Sequence, residues 1–255
     1  MSKDKVIIYN ESEIAGVRKA AQASAEVLDR LCNAVVPGMT TETVDELAKE
    51  YIKDTGGVSD FYDYCGFPGQ ICISLNDEVV HGIGSKDCII QLGDVVSLDV
   101  GVKIGGYYGD NARTICAGGQ PGELTAKLLT VTRDSLMAGI DQARDGNTIN
   151  DIGSAVEKVA RAAKFGVVRD MVGHGCGKHL HEDPEVPNYR VKGHTPRLKA
   201  GMIICIEPMI TTGTWRIKVD PVNKWTCRTT DGSLSAHFEH QVLITKKEAE
   251  ILTHV

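Results

Sequence analysis

The chain has 255 residues, 42% of them hydrophobic, and its 28 Lys plus Arg stand against 34 Asp plus Glu for a formal net charge of -6. That length suits one large domain or two closely packed halves rather than a string of small modules, and the acidic balance gives no sequence-wide attraction to a phosphate backbone or an anionic membrane. No stretch approaches the roughly 18 continuous apolar residues of a membrane span, and the opening MSKDKVIIYNESEIAG lacks the apolar core of a signal peptide.

From residue 11 to 36 the apolar positions Ile14, Val17, Ala21, Val27, Leu28 and Leu31 recur at helical spacing, and Pro37-Gly38 ends the run, predicting a long amphipathic helix. Thr40-Thr41-Glu42 opens a second, with Val44, Leu47, Ala48, Tyr51 and Ile52 as its buried stripe and Gly56-Gly57 as its stop. Short apolar runs predict strands at 71–75, 88–91 and 95–102, the last followed by a polar segment at 107–114. Helices are then expected near 123–143 and 150–164, and strands near 167–172, 202–207, 215–219 and 235–244. Eight cysteines lie at 32, 65, 72, 88, 116, 176, 205 and 227 without a CxxC pair, several inside apolar runs. They read as buried, reduced thiols of a cytoplasmic protein.

Sliding the chain over itself by 108 residues lays Gly38-Met39-Thr40 on Gly146-Asn147-Thr148 and Gly93-Asp94-Val95-Val96-Ser97-Leu98-Asp99 on Gly201-Met202-Ile203-Ile204-Cys205-Ile206-Glu207. A glycine turn, an apolar strand and a carboxylate agree together. The expectation is a single catalytic domain over 1–255, built from duplicated halves of approximately 11–118 and 119–255 with pseudo-twofold packing.

Asp99 and Glu207 each follow an apolar run, where an ionised side chain is expensive to desolvate unless a cation compensates it. Asp110 and Glu239 lie on segments following or flanking those strands. Any one of these acids alone reads more readily as a solvated strand end or an ion-pair partner. Together, a charge of about -4 is balanced by two divalent cations, a hydrolytic centre. His174 sits in Gly173-His174-Gly175-Cys176-Gly177, where the glycines permit unusual backbone angles and close passage of the chain beside a ligand. Neither a Walker loop nor HExxH occurs. Oxygen ligands with one imidazole suit manganese, iron, cobalt or zinc.

Taken together, Asn76-Asp77-Glu78-Val79-Val80-His81-Gly82, Asp99, Asp110, Gly173-His174-Gly175, His181-Glu182-Asp183-Pro184, Ile206-Glu207-Pro208-Met209 and Phe238-Glu239-His240 resemble the type I methionine aminopeptidases over essentially the whole chain. The resemblance implies an α+β pita-bread fold, two pseudo-symmetric halves around a curved antiparallel sheet with helices outside. It implies that Asp99, Asp110, His174, Glu207 and Glu239 ligate two divalent ions (Co, Mn, Fe or Zn), Asp110 and Glu239 bridging them. His81 and His181 would donate hydrogen bonds near the scissile amide, and Glu207 would help take the proton from a metal-bound water whose hydroxide attacks the first peptide carbonyl. The reaction implied is removal of the initiator methionine ahead of a small second residue. Its pocket would be lined by Tyr64, Phe67, Cys72, His81, His181 and Trp225, apolar and aromatic as a thioether requires. Partners implied are N-terminal methionyl peptides and nascent chains, with the ribosome a candidate and neither nucleic acid nor membrane expected; the short N-terminus points to a free-standing monomer of bacterial type.

The sequence departs from the family pattern at Gly101 and Tyr108, where many members carry threonine and histidine, and at Leu180, where an aromatic often lines the pocket; His179 has no counterpart role. The rival readings are an X-Pro aminopeptidase or prolidase of the same fold, which usually carries a large additional N-terminal domain, and a non-catalytic pita-bread binding protein, which typically loses metal ligands.

Overall fold

The computed structural model describes residues 6–254. Helix α1 spans Glu11–Ala34 and starts at a capping box, in which the Asn10 side chain accepts from Glu13 N–H and the Glu13 carboxylate accepts from Asn10 N–H. Its buried face carries Ala20, Ala21 and Ser24 beside Val17, Val27, Leu28 and Leu31. The small residues let the helix lie directly on the sheet: a Cβ at Gly109 would meet the Ala20 backbone at 2.3 Å. Helix α2, Thr41–Asp54, is capped by the Thr40 hydroxyl accepting from Thr43 N–H at 3.1 Å. In the second half α3 covers Glu123–Ile140 and α4 covers Ile149–Ala162, with the Asp151 carboxylate accepting from Thr148 N–H at 2.7 Å.

All named strand pairings are antiparallel. In the first half the strands Val95–Ile104 and Tyr107–Cys116 form a long hairpin, and Cys72–Leu75 and Val58–Ser59 pair with Val95–Ile104 on its other edge. In the second half Ile203–Ile206 lies between His240–Leu243 and Gly173–Gly175, with Glu250–Ile251 and Glu182–Val186 outermost. Two three-stranded sheets complete the architecture, one centred on Met209–Thr211 and one on Cys227–Thr229, which reaches back to Glu78–Val80. Each half has its own core. Leu28, Leu31, Val44 and Ile52 pack on Ile73, Val96 and Leu98, while Leu136, Ile152 and Val156 pack on Ile204, Ile206 and Val242. A fully buried side chain of this kind contributes roughly 1.5–3 kcal/mol.

Buried polar groups join the halves. Thr114 Oγ donates to His237 O at 2.7 Å and accepts from His237 N–H at 2.8 Å, Glu239 N–H donates to Ala112 O at 2.9 Å, and the Gln241 carboxamide donates to both Tyr108 O and Cys176 O at 3.1 Å. Local geometry recurs at the 108-residue shift: the bridge Thr40↔Ile89 answers Thr148↔Arg197, Gly38 and Gly146 have φ of 95° and 92°, and Gly93 and Gly201 have 90° and 92°.

Four strand expectations change. Residues 107–114 are not a polar connection but most of a ten-residue strand; its Asp110 and Asn111 are buried because that strand faces both α1 and the site. Residues 88–91 make only the single bridge at Ile89, a residue half exposed at 50%. The run 235–244 is split into Ser235–His237 and His240–Leu243, because the chain passes from one sheet to another at Phe238-Glu239. Of 167–172 only Val167 pairs, in the short strand Gly166–Val167, and the glycine-rich Gly173–Gly175 is itself a strand. The cysteines are all free, as expected, but Cys65 is exposed and Cys32, Cys88 and Cys116 are half-buried.

Candidate metal centre

Asp99 stands in the middle of its strand, opposite Cys72 on one side and Ala112 on the other, and Asp110 stands opposite Gly101. Cross-strand partners and residues two apart share a face of a sheet, so Asp99 and Asp110 point to the same side. Glu207 leaves the end of Ile203–Ile206, His174 is the central residue of the neighbouring Gly173–Gly175, and Glu239 occupies the crossing between sheets. Strand order in two sheets therefore delivers five side chains to one place. His174 Nε2 lies 3.3 Å from Glu207 Oε1 and 3.8 Å from Asp110 Oδ2. Donor atoms of Asp110, His174, Cys205 and Glu239 all lie within 4.8 Å of one another.

His174 Nδ1 is 3.0 Å from Gly175 O. A carbonyl can only accept, so Nδ1 carries the proton and Nε2 presents a lone pair to the acids. The glycines on either side act by close approach, not by unusual backbone angles: a Cβ at Gly173 would meet Cys205 O at 2.3 Å, and one at Gly175 would meet Asp183 O at 2.5 Å. Burial, then mutual repulsion, raises Asp99, Asp110, Glu207 and Glu239 well above the ordinary carboxylate range. Burial, followed by the neighbouring His181, lowers His174 to about 3 and His81 to about 4. Asp99 Oδ1, Asp110 Oδ1 and Glu239 Oε1 are buried without a hydrogen-bond partner among the described residues. Unpartnered carboxylate oxygens around an imidazole lone pair are a donor set for hard or borderline divalent cations, and the residues fit such ions.

Above this floor opens a cavity of about 240 Å³ whose lining includes all six sequence-derived pocket residues, Tyr64, Phe67, Cys72, His81, His181 and Trp225, together with Leu180. Phe67 meets Trp225 edge to face at 5.3 Å between centroids, and His174 meets His181 at 4.3 Å. Tyr64 Oη is 2.8 Å from His181 Nδ1. His81 holds a left-handed φ of 60°, next to Gly82, whose Cβ would fall 2.0 Å from Ile73 O; the chain is pressed against the neighbouring strand there. His179 is exposed.

Sequence reasoning missed several residues of the site. Cys205 and His237 each lie two positions before a predicted ligand on a strand, which places them on the ligand's face; His237 Nε2 is 3.6 Å from Glu207 Oε2. Met171 and Met209 add apolar lining, and Met209 follows the Glu207-Pro208 pair directly.

The profile of metallopeptidase family M24 matches residues 15–246. A methionine aminopeptidase of Clostridium acetobutylicum is 45% identical over 248 residues, covering 97% of this chain and 98% of the relative. Methionine aminopeptidase 1 of Bacillus subtilis is 40% identical over 251 residues, covering 98% and 100%. The crystal structure of methionine aminopeptidase from Thermotoga maritima superposes with a TM-score of 0.95 at 40% identity, covering 98% of this chain and all of that one. A prolidase from Pyrococcus furiosus is similar in fold, with a TM-score of 0.77 and 23% identity, and this chain covers 66% of it.

Proposed function

This chain belongs to metallopeptidase family M24, and within it to the methionine aminopeptidases with their pita-bread fold; from that premise we propose that it removes N-terminal methionine from peptides and nascent proteins, ahead of a small second residue. The observation that carries this reading is the set of unpartnered, buried carboxylate oxygens beside an imidazole at the floor of an apolar, aromatic cavity. Asp99, Asp110, His174, Glu207 and Glu239 would hold two divalent ions drawn from manganese, iron, cobalt or zinc. Bound there, such ions supply Lewis acidity to the scissile carbonyl and lower the pKa of water.

The protein's own residues do the rest. Glu207, ionised once a cation is held beside it, would receive the proton that the attacking water gives up; the burial that raises its proton affinity makes its carboxylate a stronger base. His81 and His181 are held neutral, chiefly by burial, and donate N–H hydrogen bonds as charge develops on the carbonyl oxygen. Tyr64 Oη lies 2.8 Å from His181 Nδ1, and with the hydroxyl donating, that ring's proton sits on Nε2. Phe67, Trp225, Leu180 and Cys72 exclude water and offer the polarisable, apolar walls that a thioether side chain fills. The X-Pro reading is not favoured, because relatives of that kind are similar in fold at 23% identity against 40–45% for the methionine aminopeptidases. No described helix is long and apolar enough to cross a membrane. The protein works as a cytoplasmic monomer on methionyl peptides and nascent chains, at the ribosome or after release.

Asp110→Ala and Glu239→Ala test the two-ion site. Elemental analysis of the parent loaded with Mn(II) and dialysed should give two equivalents, each variant should retain fewer, and methionine release from Met-Ala-Ser should vanish in both. Full activity in either variant would remove the two-ion reading.

A further inference from the structure

The antiparallel register continues one step beyond the edge strand Val58–Ser59. Val58 is opposite Lys103 and Ser59 opposite Val102, and Asp60 N–H donates to Gly101 O at 3.3 Å, so Asp60 lies across from Gly101. Gly101 in turn is opposite Asp110 on the other side. Asp60, Gly101 and Asp110 thus form one row across three strands, and the side chains of a row share a face, the face that also carries Asp99 two residues along. The middle position of the row has no side chain. Into that gap leans the Asp60 carboxylate: a Cβ at Gly101 would lie 1.7 Å from Asp60 Oδ1.

Asp60 is only 7% exposed, and neither carboxylate oxygen has a hydrogen-bond partner among the described residues. Lys103, the cation that acts on it, bonds neither oxygen and has its Nζ 4.7 Å from the Tyr108 ring centroid. Burial and then the Asp110 charge raise Asp60, and Asp60 in turn raises Asp99, so the three acids feel one another. A buried carboxylate with no donor is costly unless something cationic arrives. We propose that Asp60 is a further carboxylate of the metal centre, reaching it across the side-chain-free Gly101 and strengthening its hold on divalent cations.

This inference rests on the metal-centre reading above, and the experiment separates the two. Metal-free parent, Asp60→Asn and Gly101→Ala proteins are titrated with Mn(II) by calorimetry, and their metal-free melting temperatures are recorded. Removal of a supporting carboxylate typically weakens metal binding ten- to a hundredfold. Asp60→Asn should therefore bind Mn(II) at least about tenfold more weakly, while its metal-free form melts no lower than the parent, since an unpartnered buried charge has gone. Gly101→Ala keeps the charge but displaces it, and should lose affinity in the same direction; it also decides the question if Asp60→Asn does not fold. Parent-like Mn(II) affinity in folded Asp60→Asn or Gly101→Ala overturns the role of Asp60, as does a lowered melting temperature with affinity unchanged. No Mn(II) binding by the parent overturns the metal centre itself.

Discussion

At the scale of single residues the site is a balance between acids that resist ionisation and imidazoles that resist protonation. Burial first, and repulsion from neighbouring acids second, raises Asp99, Asp110, Glu207 and Glu239. With folded values above unfolded ones, the metal-free native state binds more protons than the unfolded chain. Their contribution to stability is complete below about pH 4 and is lost as pH rises through the raised values. His174, lowered to about 3, behaves oppositely: its contribution is present above about pH 6.5 and is lost as pH falls toward that value. Cation binding requires the four acids to give up protons, so affinity for Mn(II) should rise with pH and binding should release protons. Calorimetry at one pH in two buffers of different ionisation enthalpy reads that release directly, and buffer-independent heats would contradict it. His181→Ala should lower kcat on Met-Ala-Ser about 10²–10³-fold by removing an oxyanion donor, whereas exposed His179→Ala should leave it unchanged. That the five form one ligand set was what the family resemblance implied; as unusual residues they were legible because each acid follows or flanks an apolar run and His174 sits among glycines. Asp60 was not, because what makes it unusual is the missing side chain at Gly101 across the sheet, a relation between strands that no local pattern records.

Among the elements, the strands around His174 show how closely backbone spacing and ligand position are tied. Gly173 lies against Cys205 O, so Gly173→Ala forces a methyl into a backbone oxygen 2.3 Å away and pushes apart the strands that carry His174 and Glu207. Overpacking of this kind costs about 1–3 kcal/mol. The expected result is a lower melting temperature together with weaker Mn(II) binding; a variant that melts and binds like the parent would show that the spacing has slack. Helices were readable because 3.6-residue periodicity and capping residues are local signals: α1 begins at residue 11 and α2 within a residue of Thr40-Thr41, as their patterns place them. Strands were harder wherever function intrudes. The strand Tyr107–Cys116 reads as polar because it carries Asp110 and Asn111 inward, and Gly173–Gly175 reads as a loop because close packing demands glycine.

For the molecule as a whole, the 108-residue correspondence of turns and bridges is the feature that sequence comparison within the chain picked out first, and we propose that the two halves descend from one duplicated unit. What the sequence did not reveal is how they are joined. Thr114 with His237, Glu239 N–H with Ala112 O and Gln241 with Tyr108 O put buried hydrogen bonds between the halves at the site itself. Such bonds are lost together, so metal-free protein should unfold in one transition in urea, with far-UV circular dichroism and tryptophan fluorescence coincident; two separated transitions would mean the halves are independently stable. Methionine aminopeptidase activity is decided by amino-acid release from Met-Ala-Ser, Leu-Ala-Ser and Ala-Pro-Ser by metal-free protein with and without added Mn(II) or Co(II). Methionine alone should be released, and only with metal; cleavage ahead of proline would make the protein an X-Pro peptidase, and no release with any metal would make it a binding protein.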